Sequence, residues 1–285
     1  MRSTAMRSTS TRKASKQEVV LIVGIRSAIG QACARALVDR GHRVYGTSRD
    51  PSTLDLEALD LRRLPMDVTD DDSVATAVQT VLEEAGRLDV VVNNAGFGYA
   101  GAVEDTSIEE AKDQFETNFF GVLRVCRAVL PAMRAQGQGL IINVSSIGGL
   151  MGLPYQGLYS ASKFAVEGLT ESLRMEVQPF GIDVVLLEPG DIRTDFTQNR
   201  RDVAAATTDS TYRRQYARAL AKIEADEQHG APPEVVARTL LRILDQRRPK
   251  PRYITGPLYE KLAVWLKYIL PHSLFERLLM KNYGL

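Results

Sequence analysis

An α/β fold class is predicted by two features of the sequence: short apolar runs that recur along the chain, and longer segments with helical periodicity between them. The runs are VVLIVG, RVYGTS, LDVVVNN, GLIINVSS and IDVVLLEPG. Segments such as QACARALVDR and DDSVATAVQTVLEEA separate them, with apolar residues at helical spacing. This alternation is typical of βαβ units, so it predicts a doubly wound parallel sheet of the Rossmann type in a single domain with a C-terminal helical extension.

Composition sets the expected domain organisation. The chain has 285 residues, of which 44% are hydrophobic, enough for one large core. The first seventeen residues are basic and rich in hydroxyls, and they lack an apolar stripe, so we predict a disordered tail at 1–17 and do not expect organellar targeting. The catalytic domain is predicted at 18–255. A helical extension at 256–285 is expected to pack on this domain or on a partner.

Charge and cysteine content exclude several classes of function. The 36 basic and 35 acidic residues create no overall field that would attract nucleic acid, so the expected partner is a small molecule. Cys33 and Cys126 lie far apart in helical patterns, and the three histidines are scattered, so no disulfide and no metal site is predicted. Without a run of about 20 apolar residues, we expect a cytoplasmic protein, with peripheral membrane contact through the C-terminal helices as an alternative.

The ends of the predicted strands are where a ligand should bind in such a sheet. The first end, VGIRSAIG, has Gly24 for a tight turn and Gly30 for close packing of the next helix, whose free amides would meet a pyrophosphate. The middle position holds Ala28. Its methyl group is tolerable at negative φ, whereas a left-handed backbone there would cost about 1 kcal/mol or more.

The second strand end, RVYGTSRD, indicates which dinucleotide would bind. NAD sites usually place an acidic residue here to hold the ribose hydroxyls. Ser48 and Arg49 instead offer a hydroxyl and a guanidinium, which suit a 2′-phosphate. The sequence therefore favours NADP over NAD, although an unengaged surface arginine is the alternative at this position.

Two further strand ends, NNAG and NVSSIGG, precede the segment LYSASKFAVEGLTESLRMEV. Tyr159 and Lys163 in that segment are four residues apart, so they share one face of a predicted helix, while Phe164, Ala165 and Leu169 supply apolar packing. A solvated surface pair is the alternative for that tyrosine and lysine.

Taken together, these motifs resemble the short-chain dehydrogenase/reductase family over about Val19 to Thr255. The segment GGLMGLPYQGLYSASKFAVEGLTESL is similar to 17β-hydroxysteroid dehydrogenases and their retinol- and lipid-oxidising relatives. The resemblance implies that Tyr159 is the proton donor, that Lys163 lowers its pKa and binds the nicotinamide ribose, and that Asn118 holds a water. It also implies that the substrate oxygen is bound by Ser146, the serine thirteen positions before the tyrosine.

The same resemblance implies further roles, position by position. A homo-oligomer, dimeric or tetrameric, is expected. Asp67 is expected to bind the adenine amino group and Thr194 the nicotinamide carboxamide, with a helix cap as the alternative role of each. The predicted cofactor-binding residues are Gly24, Arg26, Ser27, Ile29, Gly30, Ser48, Arg49, Asp67, Val68, Asn94, Ala95, Gly96, Tyr159, Lys163, Pro189, Gly190, Ile192 and Thr194.

The remaining expectations concern the substrate. The polar segment from Asp195 to Pro233 should cover the cleft as a lid. The predicted substrate-binding residues are Ser146, Leu150, Met151, Leu153, Tyr155 and Phe196. These features predict an NADP(H)-dependent oxidoreductase that interconverts a hydroxyl and a carbonyl on a bulky steroid-, retinoid- or lipid-like molecule. The alternative is a non-catalytic NADP-binding regulator or scaffold, weakened at the glycine loop.

Overall fold

The computed structural model describes residues 17–53, 56, 59–194, 196–207 and 210–285. The tail predicted at 1–17 therefore lies, apart from Gln17, outside the described residues. Seven parallel strands form the main sheet, in the order β3-β2-β1-β4-β6-β7-β9. They are β1 Val19–Val23, β2 Arg43–Ser48, β3 Leu61–Pro65, β4 Val90–Asn93, β6 Gly139–Val144, β7 Ile182–Pro189 and β9 Arg252–Thr255, and β5 Tyr99–Ala100 pairs separately with β8 Arg201–Asp202.

Helices cover both faces of the main sheet, which confirms the predicted fold class. The described helices are α1 Ala28–Asp39, α2 Asp71–Ala85, α3 Ile108–Phe115, α4 Gly121–Gln136, α5 Gly157–Val177, α6 Phe196–Asn199, α7 Arg213–Gln228, α8 Glu234–Leu244, α9 Leu258–Ile269 and α10 His272–Asn282.

The core follows from the alternation of side chains along the strands. In β1, Leu21 packs into the core under α2, α4 and α5, whereas Val20 and Ile22 pack under α1 and α8 on the opposite face. All five residues of β1 are buried, as expected for a strand covered on both sides. The order of the strands reverses between β1 and β4, so a crevice for a ligand opens beyond their carboxyl ends.

One strand of the sheet and the path of the C-terminal helices were not predicted from the sequence. Strand β9, with the sequence RYIT, was not predicted, because its four residues mix charge and apolar character and it lies at the edge of the sheet. The segment expected to cover the cleft forms α6, β8 and α7. After β9, helices α9 and α10 return across the carboxyl ends of the strands, and their Val264 and Phe275 are buried against Leu150 and Met151.

Candidate active site

A cavity of about 410 Å³ opens beyond the carboxyl ends of β4, β6 and β7. We call its lower wall the strand-end floor: it consists of the loops after these strands and the first turns of α5. The upper wall, the helical roof, consists of α7, α9 and α10. Lining residues from the floor include Ser146, Tyr159 and Lys163, and those from the roof include Ile223 and Leu266.

Tyr159 and Lys163 lie on the cavity side of α5, as their four-residue spacing predicts. Both are more than nine-tenths buried. Lys163 Nζ lies 5.8 Å from the centre of the Tyr159 ring and donates a hydrogen bond to the carbonyl oxygen of Val144 at 3.0 Å. Ser146 Oγ accepts from the Gly148 amide at 3.0 Å and lies close enough to the tyrosine hydroxyl to lower its pKa. Serine, tyrosine and lysine therefore converge at one point of the floor.

Burial shifts the pKa values of this tyrosine and lysine in opposite directions. Loss of solvent raises the pKa of Tyr159 to about 12, and the charges of Glu227 and Asp191 act in the same direction, against the hydrogen bond from Ser146. Burial lowers the pKa of Lys163 to about 8, and the carboxylate of Glu167 opposes that decrease. The Tyr159 phenol is therefore protonated at neutral pH, whereas the Lys163 ammonium loses its proton only slightly above neutral pH.

Asn118 lies behind the floor, in a π-helical turn at residues 116–120 that joins α3 to α4. Its side chain is fully buried. Nδ2 donates to the Phe97 carbonyl at 2.9 Å and to Ser162 Oγ at 3.1 Å, and Oδ1 accepts from the Phe97 amide at 3.1 Å. These bonds fix the chain that follows NNAG, and the side chain does not reach the cavity lining. The predicted water-holding role stays a prediction.

The glycine turn after β1 is built for close backbone approach. Gly24 has φ +84°, and a Cβ there would come within 2.7 Å of the Ala95 backbone. A Cβ on Gly30 would lie 2.6 Å from the Gly24 carbonyl oxygen. Ser27 caps α1 by accepting from the Gly30 amide, and Asn94 Nδ2 donates to both the Gly24 carbonyl and Ser27 Oγ.

Ala28 is the first residue of α1. Among the described residues, the non-glycine residue with positive φ is Tyr155, so the alanine methyl group imposes no left-handed strain. The turn thus leaves room for the close backbone approach that a dinucleotide pyrophosphate requires, and Ala28 does not strain it.

The residues expected at the adenosine end lie beyond the cavity, along the carboxyl ends of β2 and β3. Ser48 is buried, and its Oγ has no hydrogen-bond partner among the described residues, whereas Arg49 is exposed. Thr69 donates two hydrogen bonds to Asp67 that, together with the charge of Arg49, outweigh the effect of burial and hold the pKa of that carboxyl below its usual value. Val68 is buried against Gly121. Arg26, also exposed, lies close enough to Asp50 to lower the pKa of that carboxyl slightly.

The predicted residues of the nicotinamide end and the substrate end are brought together for the most part. The cavity is lined by Ser27, Ile29, Asn94, Gly96, Ser146, Met151, Leu153, Tyr159, Lys163, Pro189, Gly190, Ile192, Thr194 and Phe196. The Phe196 ring packs against the Tyr159 ring, with 5.6 Å between the ring centres and a tilt of 58°.

Leu150 and Tyr155 do not line the cavity. Leu150 turns into the apolar cluster beneath α9 and α10, because that cluster buries it more completely. The Tyr155 ring packs on Tyr216 at 5.6 Å, and its hydroxyl donates to Gln215.

A partly buried charge network beside Lys163 was missed by the sequence reasoning. Arg252 of β9 forms ion pairs with Glu167 on α5, Glu171 on α5 and Glu188 on β7. Glu188 is fully buried, and loss of solvent raises its pKa to about 8, with the charge of Glu167 adding to the effect. An acidic residue inside the apolar run IDVVLLEPG was a visible signal, but its arginine partner lies 64 positions away.

An acidic wall where the floor meets the roof was also missed. Asp191, Asp226, Glu227 and Glu260 all line the cavity. Glu260 of α9 accepts two hydrogen bonds from the Asp191 amide, at 3.0 and 3.1 Å. Burial, and then the hydrogen bond and charge of Glu260, raise the pKa of Asp191 to about 9. On α7, Asp226 pairs with Lys222 and Glu227 with Arg200. These residues are scattered in the sequence, so no local motif indicates the wall.

Comparison with known proteins gives a consistent result. Residues 18–205 match the short chain dehydrogenase family. The chain is 44% identical to a 3-ketodihydrosphingosine reductase of Bacteroides thetaiotaomicron, over 94% of this chain and 98% of that protein. It is 36% identical to human 17-beta-hydroxysteroid dehydrogenase type 1, over 83% and 77% of the two chains. A short chain dehydrogenase from Burkholderia cenocepacia, solved in complex with NADP, superposes with a TM-score of 0.73 at 25% identity, over 92% and 98%.

A doubly wound sheet with a serine, a tyrosine and a lysine converging at its carboxyl edge defines a class of nicotinamide-dependent oxidoreductases. The chain belongs to the short-chain dehydrogenase family, as its sequence motifs predict. It is therefore an oxidoreductase of CH–OH groups that uses a nicotinamide cofactor. Within the described residues, no helix has the length and apolar composition to cross a membrane, and no group of side chains is arranged to hold a metal ion.

Proposed function

We propose that this protein uses NADPH to reduce the ketone of a long-chain, amphipathic lipid that carries a cationic group beside the carbonyl. The observation that carries the proposal is the two-sided cavity above Tyr159. One side is apolar, with Ile147, Met151, Leu153, Leu266 and Phe275, and the other is the acidic wall. An alkyl chain fits the first side and an ammonium the second.

The position of the acidic wall favours an ammonium close to the reacting carbon. Asp191 and Glu227 are near enough to Tyr159 for their charges to raise its pKa. The half-buried Asp191 lies against the buried Glu260, and loss of solvent, followed by the hydrogen bond and charge of Glu260, raises its pKa. A cation placed there would favour the charged form of both carboxyls. The similar reductase from Bacteroides thetaiotaomicron is named for 3-ketodihydrosphingosine, a long-chain ketone with an amino group on the adjacent carbon.

The floor residues supply the proton chemistry. When bound, the cofactor supplies the hydride. The Tyr159 hydroxyl donates a proton to the carbonyl oxygen, which a hydrogen bond from Ser146 Oγ orients. The Lys163 ammonium stabilises the phenolate that remains and binds the nicotinamide ribose. Gly24, Ser27 and Asn94 would hold the pyrophosphate, since the turn is open enough for a backbone approach.

The choice of NADP is supported by the end of β2. Ser48 offers a buried hydroxyl without a partner among the described residues, and the exposed Arg49 follows it. Asp50, the next residue in the sequence, accepts hydrogen bonds from the amide and the hydroxyl of Ser52, at 3.0 and 2.5 Å. A 2′-phosphate would satisfy the serine and pair with the arginine. The expected homo-oligomer and the expected cytoplasmic location stay predictions.

The test is NADPH oxidation with three ketones: 3-ketodihydrosphingosine, the ketone of equal chain length without the amino group, and a 17-ketosteroid. We expect kcat/KM for the amino ketone to exceed the other two by at least about tenfold, because a charge-assisted hydrogen bond contributes about 1.5–3 kcal/mol. Equal rates with and without the amino group would contradict the cationic subsite, and a preference for the ketosteroid would contradict the lipid assignment.

A variant pair locates the subsite. Asp191→Asn should lower the preference for the amino ketone over its amino-free analogue by about tenfold. Asp226→Asn is the comparison, since its carboxylate is already paired with Lys222 and does not contribute to the pKa shift of Tyr159. It should change the preference less. Using the ratio of two substrates removes any effect that either variant has on the cofactor.

A further inference from the structure

The outer surface of the two C-terminal helices exposes several large apolar side chains, and we call six of them the C-terminal apolar face. On α9 these are Leu258, Leu262, Trp265 and Ile269, and on α10 Leu274 and Leu278. Leu258 is 81% exposed and Trp265 is 65% exposed. The spacings of four, three and four residues place the α9 members on one side of the helix. Apolar surface that recurs in this way on a soluble domain marks an interaction site.

The fold of this chain already uses the opposite sides of both helices. Val264 and Phe275 are buried with Leu150 and Met151, and Glu260 anchors the start of α9 to the loop after β7. Packing against the rest of the described chain therefore explains why the inner sides of both helices are apolar. It does not explain the apolar residues on the outer side.

Charge indicates what covers this face. Lys261 lies one turn before Trp265 on α9, and Arg277 and Lys281 on α10 alternate with Leu274 and Leu278 at helical spacing. Glu276 is the exposed acidic residue within α9 and α10, since Glu260 is buried. Leucines interleaved with cations suit an anionic lipid surface, where apolar side chains enter the acyl boundary and the cations meet headgroups.

The exposed aromatic residues agree with this interpretation. Tyr259, Trp265 and Tyr268 are each at least 60% exposed. Rings with an apolar body and a polar tip concentrate at the headgroup level of membranes.

The cavity opens next to the same face. Leu278 and Tyr259 are exposed and also line the cavity. A molecule with an alkyl chain could therefore pass between a bilayer and the cavity without exposing that chain to water. We propose that the C-terminal apolar face docks on the surface of an anionic lipid bilayer, with the mouth of the cavity towards the lipid. This docking does not depend on which carbonyl compound is reduced, and it is measured without one.

Trp265 makes the proposal directly testable, because it is the one tryptophan of the sequence. The full chain is mixed with vesicles of phosphatidylcholine, alone or with phosphatidylglycerol, and tryptophan emission is recorded. We expect a blue shift and co-flotation with the anionic vesicles. Lipids brominated on their acyl chains should quench the emission, because the indole reaches the acyl boundary.

Charge reversal supplies the matched variants. Arg277→Glu/Lys281→Glu should weaken binding to anionic vesicles by at least about tenfold, since each basic residue near such a surface contributes about 1 kcal/mol. Arg214→Glu/Arg218→Glu makes the same change in net charge at the same spacing on exposed positions of α7, and should leave binding within about threefold. NADPH affinity, measured in both variants, verifies that they are folded.

Three outcomes would overturn the proposal. The first is emission that brominated lipids do not quench. The second is equal loss of binding in the two double variants, because net charge and not this face would then control binding. The third is a blue shift that appears with protein concentration in the absence of vesicles and follows dimerisation, because a second copy of the chain would then cover the face.

Discussion

The floor and the roof of the cavity are built in contrasting ways. The floor consists of buried side chains at strand ends, where Ser146, Tyr159 and Lys163 are each less than a tenth exposed. Hydrogen bonds to the backbone, each 3.0 Å long, hold Ser146 and Lys163 in place. The roof consists of amphipathic helices that line the cavity on one side and face solvent on the other. Trp265, on the outer side, is 65% exposed. The reacting groups must be held in a fixed geometry, whereas entry of a substrate requires a surface that other molecules can reach.

The largest expected effect belongs to the floor. Tyr159→Phe should lower kcat for ketone reduction by at least about 10², because the proton donor is lost. NADPH affinity should change little, since Lys163 retains its position through the Val144 carbonyl. Steady-state rates and a fluorescence titration of NADPH measure the two quantities. A fully active phenylalanine variant would contradict the assignment of the proton donor.

The next effect concerns the adenosine end of the cofactor site. Arg49→Ala should weaken NADPH binding by about tenfold or more and leave NADH unchanged, because charge-assisted bonds to a 2′-phosphate contribute about 1.5–3 kcal/mol. Arg35→Ala, an exposed arginine on α1, is the matched control and should alter neither affinity. Equal weakening of both cofactors by the Arg49 variant would show that this arginine does not bind the phosphate.

A smaller effect tests whether Glu167 sets the pKa of Lys163 in the floor. Burial lowers the pKa of Lys163 to about 8, so the rate of reduction should fall as the pH rises through that value and the ammonium is lost. The Glu167 carboxylate raises that pKa, so Glu167→Gln should move the falling limb of the pH profile to lower pH. Glu171→Gln is the control, because Glu171 is exposed and also pairs with Arg252. Identical limbs in both variants would rule out this positioning role for Glu167.

The smallest effect is expected at the glycine turn. Ala28 begins α1 without positive φ, so Ala28→Gly removes one methyl group and relieves no left-handed strain. NADPH affinity should increase by less than about tenfold, near ~1.4 kcal/mol at most. If the natural chain failed to bind NADPH and the glycine variant bound it, the turn would be defective after all.

The same contrast explains how much could be predicted from the sequence. Strand-end motifs are local, and the i, i+4 spacing of Tyr159 and Lys163 predicts that both lie on one face of a helix, which is the cavity side of α5. The Asp191–Glu260 pair and the Arg252 network join positions 69 and 64 or more residues apart, which periodicity does not relate. Leu150 and Tyr155 were expected to face an apolar substrate, yet each turns towards a nearby apolar or aromatic cluster.

The division of work between floor and roof can be measured in one crossed experiment. Wild-type protein, Tyr159→Phe and Ala263→Trp are compared for kcat/KM on a short water-soluble ketone and on 3-ketodihydrosphingosine. Ala263 lines the roof, and an indole there would fill space that an alkyl chain needs. Ala217→Trp, at an exposed position of α7, is the control for the substitution itself.

The account predicts that Tyr159→Phe lowers kcat/KM on both ketones by a similar factor of about 10² or more, since both require the same proton. Ala263→Trp should lower kcat/KM on the long-chain ketone by at least about tenfold and leave the short ketone within about twofold, because the indole occupies cavity space that the alkyl chain needs and the short ketone does not. Equal losses on both ketones in the Ala263 variant, or none on either, would contradict the assignment of substrate selection to the helical roof.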